Sequence, residues 1–208
     1  VRVFVARHGE TTWNVAGRYQ GRRESTLTPR GERQAHALLE PMRAAGVGRI
    51  ISSPLMRCVE TARPTADAMR LPIERDERLI EIAHGTWEDR LREEIAANDP
   101  ARYHAWRHDP ANVAFENGES LADVAARWND FAAALRAHEP TLVVTHDAVL
   151  RVAIVVAARR GLDRFWDAKV ENGAYAVFDV DDGAWTLVDE RVNAHLADDR
   201  AAVEGQAL

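Results

Sequence analysis

Arg7, His8 and Gly9 follow directly on a strand-like apolar run, Val1 to Ala6 (V-R-V-F-V-A). A guanidinium beside an imidazole at a strand end, with glycine after them, suits the handling of an oxyanion. The guanidinium offers a planar fork of donors. The imidazole can attack phosphorus through one ring nitrogen while a hydrogen bond holds the other. The chemistry suggested is phosphoryl transfer with His8 as nucleophile, a reaction that asks mainly for positioning and charge stabilisation. Further cations occur at equivalent places. Arg57 lies in the first turn of the helix expected after a second strand, Arg49 to Ser52, and His146 follows the buried run T-L-V-V-T, Thr141 to Thr145. A leaving alkoxide also needs a proton, and a carboxyl group with a raised pKa is the usual donor. Glu81, in E-I-A-H-G, is the candidate. It would then serve as base for the water that clears His8. With two arginines and a protonated His146 supplying charge, the reaction requires neither metal nor cofactor.

The elements that must position these groups are read from periodicity and punctuation. Thr28-Pro29 signals a helix start, with Pro41 ending or kinking the helix early. Ser53-Pro54 repeats the signal, with Ser53 as cap, before the apolar face Leu55, Val59, Ala62, Ala66 and Met69, which Pro64 interrupts. Pro72 to Glu74 reads as a third strand. Residues 89–117 are less regular and read as an excursion from the sheet, a lid or wall. Ser120 to Asp123 resembles a capping box that opens an amphipathic helix through Leu135. Another helix runs from about Ala148 to Arg159. Ala174 to Val180 and Trp185 to Arg191 make a hairpin across Asp181-Asp182-Gly183. The tail after Leu196 is polar and Ala-rich, and reads as loose. Strand–helix alternation implies an α/β fold, a mainly parallel sheet with helices on both faces, whose ligands bind beyond the carboxyl ends of the strands.

Length and composition fit one domain over residues 1–208, the excursion included. Of the 208 residues 46% are apolar and 29% charged, and the net charge of −6 argues against a nucleic-acid partner. It leaves room for a local cluster of cations, which here are almost all arginine, Lys169 being the one lysine. Cys58 is the single cysteine, so the chain has no internal disulfide and no Cys-rich zinc site. No apolar stretch is long enough to span a bilayer, and the expected setting is cytoplasmic. His104 and His108 have metal-like spacing without a third ligand and read as surface residues.

The motifs R-H-G-E-T-T-W-N, G-R-Y-Q-G, L-T-P-R-G, S-S-P-L-M-R-C-V-E-T-A, L-I-E-I-A-H-G-T-W-E, N-G-E-S-L and V-V-T-H occur in that order. Together they resemble the histidine phosphatase superfamily in its phosphoglycerate-mutase-like branch. The resemblance implies that His8 is phosphorylated, that Arg7, Arg57 and His146 surround the phosphate, and that Glu81 is the acid. It adds Asn14 as a phosphate contact and the Gln20-Gly21 loop beside it. Two departures stand out: His146 is followed by Asp147, and Trp87-Glu88 by Asp89, where the family usually has glycine. A carboxylate at Asp147 beside the phosphate would weaken dianion binding or raise the pKa of His146 unless it points away; its backbone N–H remains available. The short insertion and the sequence after Glu81 favour a phosphatase over a mutase. They look most like the metal-independent phosphoserine phosphatases, in which the histidine matching His84 helps receive the substrate. Broad-specificity, ribazole-phosphate and sugar-phosphoglycerate phosphatases share many of these motifs. The expected partner is thus a small phosphorylated metabolite, with phosphoserine a candidate. The alternatives are a phosphoglycerate mutase, or a non-catalytic phosphate-binding regulator suggested by Asp147. The exposed edge of the last hairpin could pair with a second copy as a homodimer.

Overall fold

The computed structural model describes residues 1–200 together with Gln206 and Ala207. Strands β1 (Arg2–Arg7), β2 (Arg49–Ser52), β3 (Ile73–Arg75), β4 (Thr141–Thr145), β5 (Tyr175–Asp181) and β6 (Ala184–Val192) form one sheet in the order β3-β2-β4-β1-β5-β6. The β3-β2-β4-β1 portion is parallel, and β5 and β6 add antiparallel to it. The fold is therefore α/β with a mainly parallel sheet.

Successive side chains of a strand point to opposite faces, and a sheet covered on both faces buries both sets. Val3, Val5, Ile51 and Val143 pack on one side with α7 (Leu121–Ala134) and α8 (Asp147–Ala157). Phe4, Ala6, Ile50, Leu142 and Val144 pack on the other, against Leu38, Met42, Cys58, Ala62 and Ala66. The helices on that second side are α2 (Pro29–Ala37), α3 (Leu39–Ala44) and α4 (Met56–Met69). Every position of α8 from Asp147 to Val155 is buried, so this helix sits within the core rather than over it. The excursion holds α5 (Arg92–Asn98) and α6 (Pro100–His108), and its Trp106 and Phe115 join the α7/α8 side of the core. A short helix α1 (Thr12–Ala16) follows the R-H-G turn.

Local signals worked where they act locally. Thr28 caps α2, its hydroxyl accepting from Gly31 N at 3.1 Å, and Ser120 and Asp123 close a capping box on α7. Asp182 and Gly183 both take positive φ (46° and 80°), as the two-residue turn between β5 and β6 requires. The helix that opens at Pro29 is interrupted early, as expected: the chain breaks at Leu38, in the turn ahead of Pro41, which has no N–H for the Ala37 carbonyl and sits inside the first turn of α3. Two expectations need correction. Pro64 does not interrupt α4. The flanking Thr61, Ala62, Thr65 and Ala66 are buried, and their packing outweighs one lost hydrogen bond on the outer side. Ser53 does not cap α4, which starts at Met56 with Leu55 in the capping position. The tail is also less loose than its composition suggests. Ala194–Asp199 forms two short helical turns across a kink at Ala197, held by Gln34 Nε2 donating to the Asp199 carbonyl at 2.7 Å, and Gln206 and Ala207 are buried. Positions 201–205 and 208 lie outside the described residues. Among the described residues no helix is long and apolar enough to cross a membrane.

Candidate active site

Strand register brings the two histidines together. Arg7 pairs with Thr145 across the parallel β1–β4 ladder, so His8 and His146 are the next residues on neighbouring strands. His8 N donates to Thr145 O at 2.9 Å, and the two rings meet edge to face with centroids 5.3 Å apart. β2 lies on the far side of β4, where Ser53 N donates to Val144 O at 2.9 Å. The Ser53 hydroxyl thus reaches His146 Nε2 at 2.7 Å, and Cys58 Sγ lies 3.3 Å from the same nitrogen. The turn after β1 is tight: a Cβ on Gly9 would stand 2.5 Å from the carbonyl oxygen of Gly31, so α2 can approach this closely only over glycine.

A cleft of about 360 Å³ opens at these strand ends. Arg7, His8, Asn14, Gln20, Gly21, Arg57, Glu81, His84 and Asp147 line it, with Ile82, Trp106, Ala148, Phe165 and Ala207 as its apolar parts. His146 stands behind His8 and is not part of the lining. The buried His8 ring pairs through Nδ1 with its neighbour's carbonyl, Gly9 O, at 2.7 Å. Because a carbonyl only accepts, Nδ1 carries the proton and Nε2 is left with its lone pair. Burial, then Arg57 and Arg7, hold His8 well below its ordinary pKa, so the ring is neutral. His146 is likewise held low by burial, then by Arg57 and His8.

The two buried guanidiniums are anchored by their outer nitrogens. Arg57 donates to Arg23 O and Gly21 O, both at 2.8 Å, which also fixes the Gln20–Gly21 loop over the cleft. Arg7 donates to Val170 O at 3.0 Å and to Gln206 Oε1 at 2.6 Å. Their Nε atoms have no hydrogen-bond partner among the described residues. Glu81 is held beside them because Thr145 Oγ1 donates to Leu79 O at 2.7 Å, tying its segment to the end of β4. Its carboxyl accepts from Ile82 N at 2.9 Å and Ala148 N at 3.3 Å. Burial, then the neighbouring Asp147, push Glu81 up to about 7.

Asp147 is tied into the site by two arginines. Its carboxylate lies 3.2 Å from Arg7 Nη1 and accepts from Arg151 Nε at 2.6 Å, the i, i+4 partner on α8. Arg151 in turn donates to Ala168 O and lies over Phe165 and Trp166. The carboxylate neither points out of the site nor raises His146; the carboxyl it raises is Glu81. Asp89, the other departure, takes φ +68° in the left-handed region and pairs with Arg18 at 3.1 Å, away from the cleft lining.

His84 has a different setting from the other polar residues. Its ring is packed among Tyr19, Trp106 and Phe115, and burial drives its pKa down to about 3. Both ring nitrogens lack a hydrogen-bond partner among the described residues. Sequence reasoning missed Ser53 as a partner of His146, and Arg151, although an Asp and an Arg four apart in an apolar run are a visible sign of a buried pair. It also missed Asn172, Gln206 and Ala207, for which no local signal exists. Among the described residues no group of three or more His, Cys, Asp or Glu is placed to hold a metal ion.

The profile of the histidine phosphatase superfamily, branch 1, matches residues 3–193. Phosphoserine phosphatase 1 of Hydrogenobacter thermophilus is 32% identical over 201 residues, 95% of either chain. The adenosylcobalamin/alpha-ribazole phosphatase of Salmonella typhimurium is 32% identical over 190 residues, covering 90% of this chain and 94% of that one. Among solved structures, Bacillus stearothermophilus YhfR superposes with a TM-score of 0.89 at 31% identity over 94% of this chain and 98% of its own. Sequence, fold and cleft agree: the chain belongs to branch 1 of the histidine phosphatase superfamily and is an enzyme of the phosphoric monoester hydrolase class.

Proposed function

We propose that the chain hydrolyses the phosphomonoester of a small metabolite in two steps through phospho-His8. The observation that carries this reading is the pair of buried guanidiniums on the cleft wall beside His8, each with its Nε unpartnered among the described residues. A buried N–H left without an acceptor is costly, and a phosphoryl oxygen is an acceptor that fits two cations at once.

In the first step His8 Nε2 attacks phosphorus and the bond to the leaving oxygen breaks. The positive charge that forms on the imidazole is stabilised through Nδ1–H on Gly9 O. Glu81, whose pKa raised to about 7 leaves a large share of it protonated at neutral pH, gives its proton to the leaving oxygen. In the second step a water attacks phosphorus, Glu81 takes its proton, the phosphorus–nitrogen bond breaks and phosphate leaves with His8 restored. Arg7, Arg57 and the amide of Asn14 hold the equatorial oxygens. Gln20 and Gly21 close the loop over the phosphate, His146 backs the His8 ring, and Asp147 fixes Arg7.

Within this class O-phosphoserine is the substrate favoured. The cleft is small, the leaving-group side offers the neutral His84, which can accept one hydrogen bond and donate another, and one relative carries that name. The test is phosphate release from a panel of phosphorylated amino acids, sugars, glycerates and nucleotides, with a chelator present. The reading expects release without added metal, fastest from the small amino-acid ester, and none from His8→Ala. Interconversion of phosphoglycerates faster than phosphate release would make the chain a mutase. Binding of phosphate with no turnover of any ester would make it a phosphate-binding protein.

A further inference from the structure

Asn172 does not line the cleft and has been given no role above, yet it is wholly buried at the centre of a directed chain of hydrogen bonds. Both ends of that chain are fixed by chemistry. A guanidinium only donates, so Gln206 presents its oxygen to Arg7 Nη2, at 2.6 Å, and its nitrogen to Asn172 Oδ1, at 2.8 Å. A backbone carbonyl only accepts, so Asn172 presents its nitrogen to His8 O, at 3.1 Å. The same Nδ2 reaches Asn14 Oδ1 at 3.2 Å. Thr11 N, another donor of fixed direction, reaches that oxygen at 3.0 Å. The oxygen edge of Asn14 is therefore committed to the protein, which leaves its amide nitrogen as the group available to the cleft that Asn14 lines.

We propose that Asn172 is a positioning residue for the phosphate site: its amide sets the donor edge of Asn14 toward the bound phosphoryl group, holds the His8 main chain, and couples both to Arg7 through Gln206. The proposal rests on the reading of the cleft as a phosphate site. Asn172→Asp would place a carboxylate oxygen against two acceptors, His8 O and Asn14 Oδ1, and so pull the Asn14 amide out of register. Asn172→Ala removes the donor without burying a charge.

The test is the affinity for orthovanadate, a phosphate-like oxyanion, measured by titration calorimetry on the full chain and on Asn14→Ala, Asn172→Asp, Asn172→Ala and the double variant Asn14→Ala/Asn172→Ala. Far-ultraviolet circular dichroism and thermal melts report folding. Loss of the Asn14 donor weakens binding about tenfold, Asn172→Asp weakens it at least as much, and Asn172→Ala weakens it about threefold. Because Asn172 acts mainly through Asn14, the double variant binds no more than about twofold worse than Asn14→Ala. Affinities of folded Asn172→Ala equal to those of the parent chain would overturn the proposal, as would effects of the two substitutions that multiply. A parent chain that does not bind vanadate, or Asn14→Ala binding as tightly as the parent, would overturn the phosphate site itself and this proposal with it.

Discussion

The cleft has two sides built on different terms. The His8 side is made by neighbouring strand ends, and its polar groups are held largely by main-chain atoms: Arg57 by the carbonyls of Arg23 and Gly21, Arg7 in part by that of Val170, His8 by that of Gly9. The His84 side is made by the excursion and the segment after Glu81, and is held by packing: His84 sits among Tyr19, Trp106 and Phe115. Main-chain anchoring fixes direction as well as position, which a group that must meet developing charge requires. Aromatic packing fixes shape and keeps water out, but leaves the identity of the group it receives to one or two polar atoms. On the proposed function, one side suits any phosphoryl group and the other a particular leaving group.

Substitutions should separate the two sides. Arg57→Met removes a cation from the anchored side and is expected to lower kcat/KM by roughly 10²–10³ for every ester tested. Glu81→Gln is expected to lower kcat by about 10²–10⁴ for esters with poor leaving groups, and far less for an aryl ester whose leaving oxygen needs no proton. The same residue supplies a pH test. Its folded pKa is raised from 4.5 to about 7, so the folded chain holds this proton more tightly than the unfolded chain. That contribution is complete below about pH 4.5 and is lost as the pH rises through about 7, a change on the order of 3 kcal/mol. Denaturant melts of the parent chain should therefore lose stability across that window relative to Glu81→Gln. Parallel curves would contradict the assignment.

On the packed side, His84→Phe should change kcat/KM about tenfold for the best substrate and reorder the panel, while vanadate affinity changes little. A uniform loss across all esters would show that the two sides are not separate. The smallest effect is expected at Asp89, away from the cleft lining. Asp89→Gly relieves a left-handed backbone and should raise stability by about 1 kcal/mol in denaturant melts, with kinetics unchanged.

The same division explains what the sequence made legible. A strand run followed by Arg-His-Gly locates one strand end. Parallel register then sets His146 beside His8 without any side-chain detail. Capping residues and Asp-Gly turns act over a few positions and could be read directly. Pro64 misled because burial of Ala62 and Ala66 is a tertiary effect that overrides a local penalty. Asn172 and Gln206 escaped notice for a related reason: they meet Asn14 and Arg7 across 158 and 199 positions, and an amide carries no periodicity to mark it. Asp147 was noticed as a departure, but its consequence depended on Arg151. The pair holds the Asp147 carboxylate against Arg7, where it adds to the burial that raises Glu81.

The most direct measurement is capture of the phosphoenzyme. The chain is mixed with a labelled substrate, quenched in alkaline denaturant within the first turnovers, and its peptides are mapped by mass spectrometry. The account predicts a label on the peptide carrying His8 that survives base and is lost in acid, and that accumulates in Glu81→Gln when an aryl ester is the donor. Turnover by His8→Ala, or a label found elsewhere or stable in acid, would contradict it.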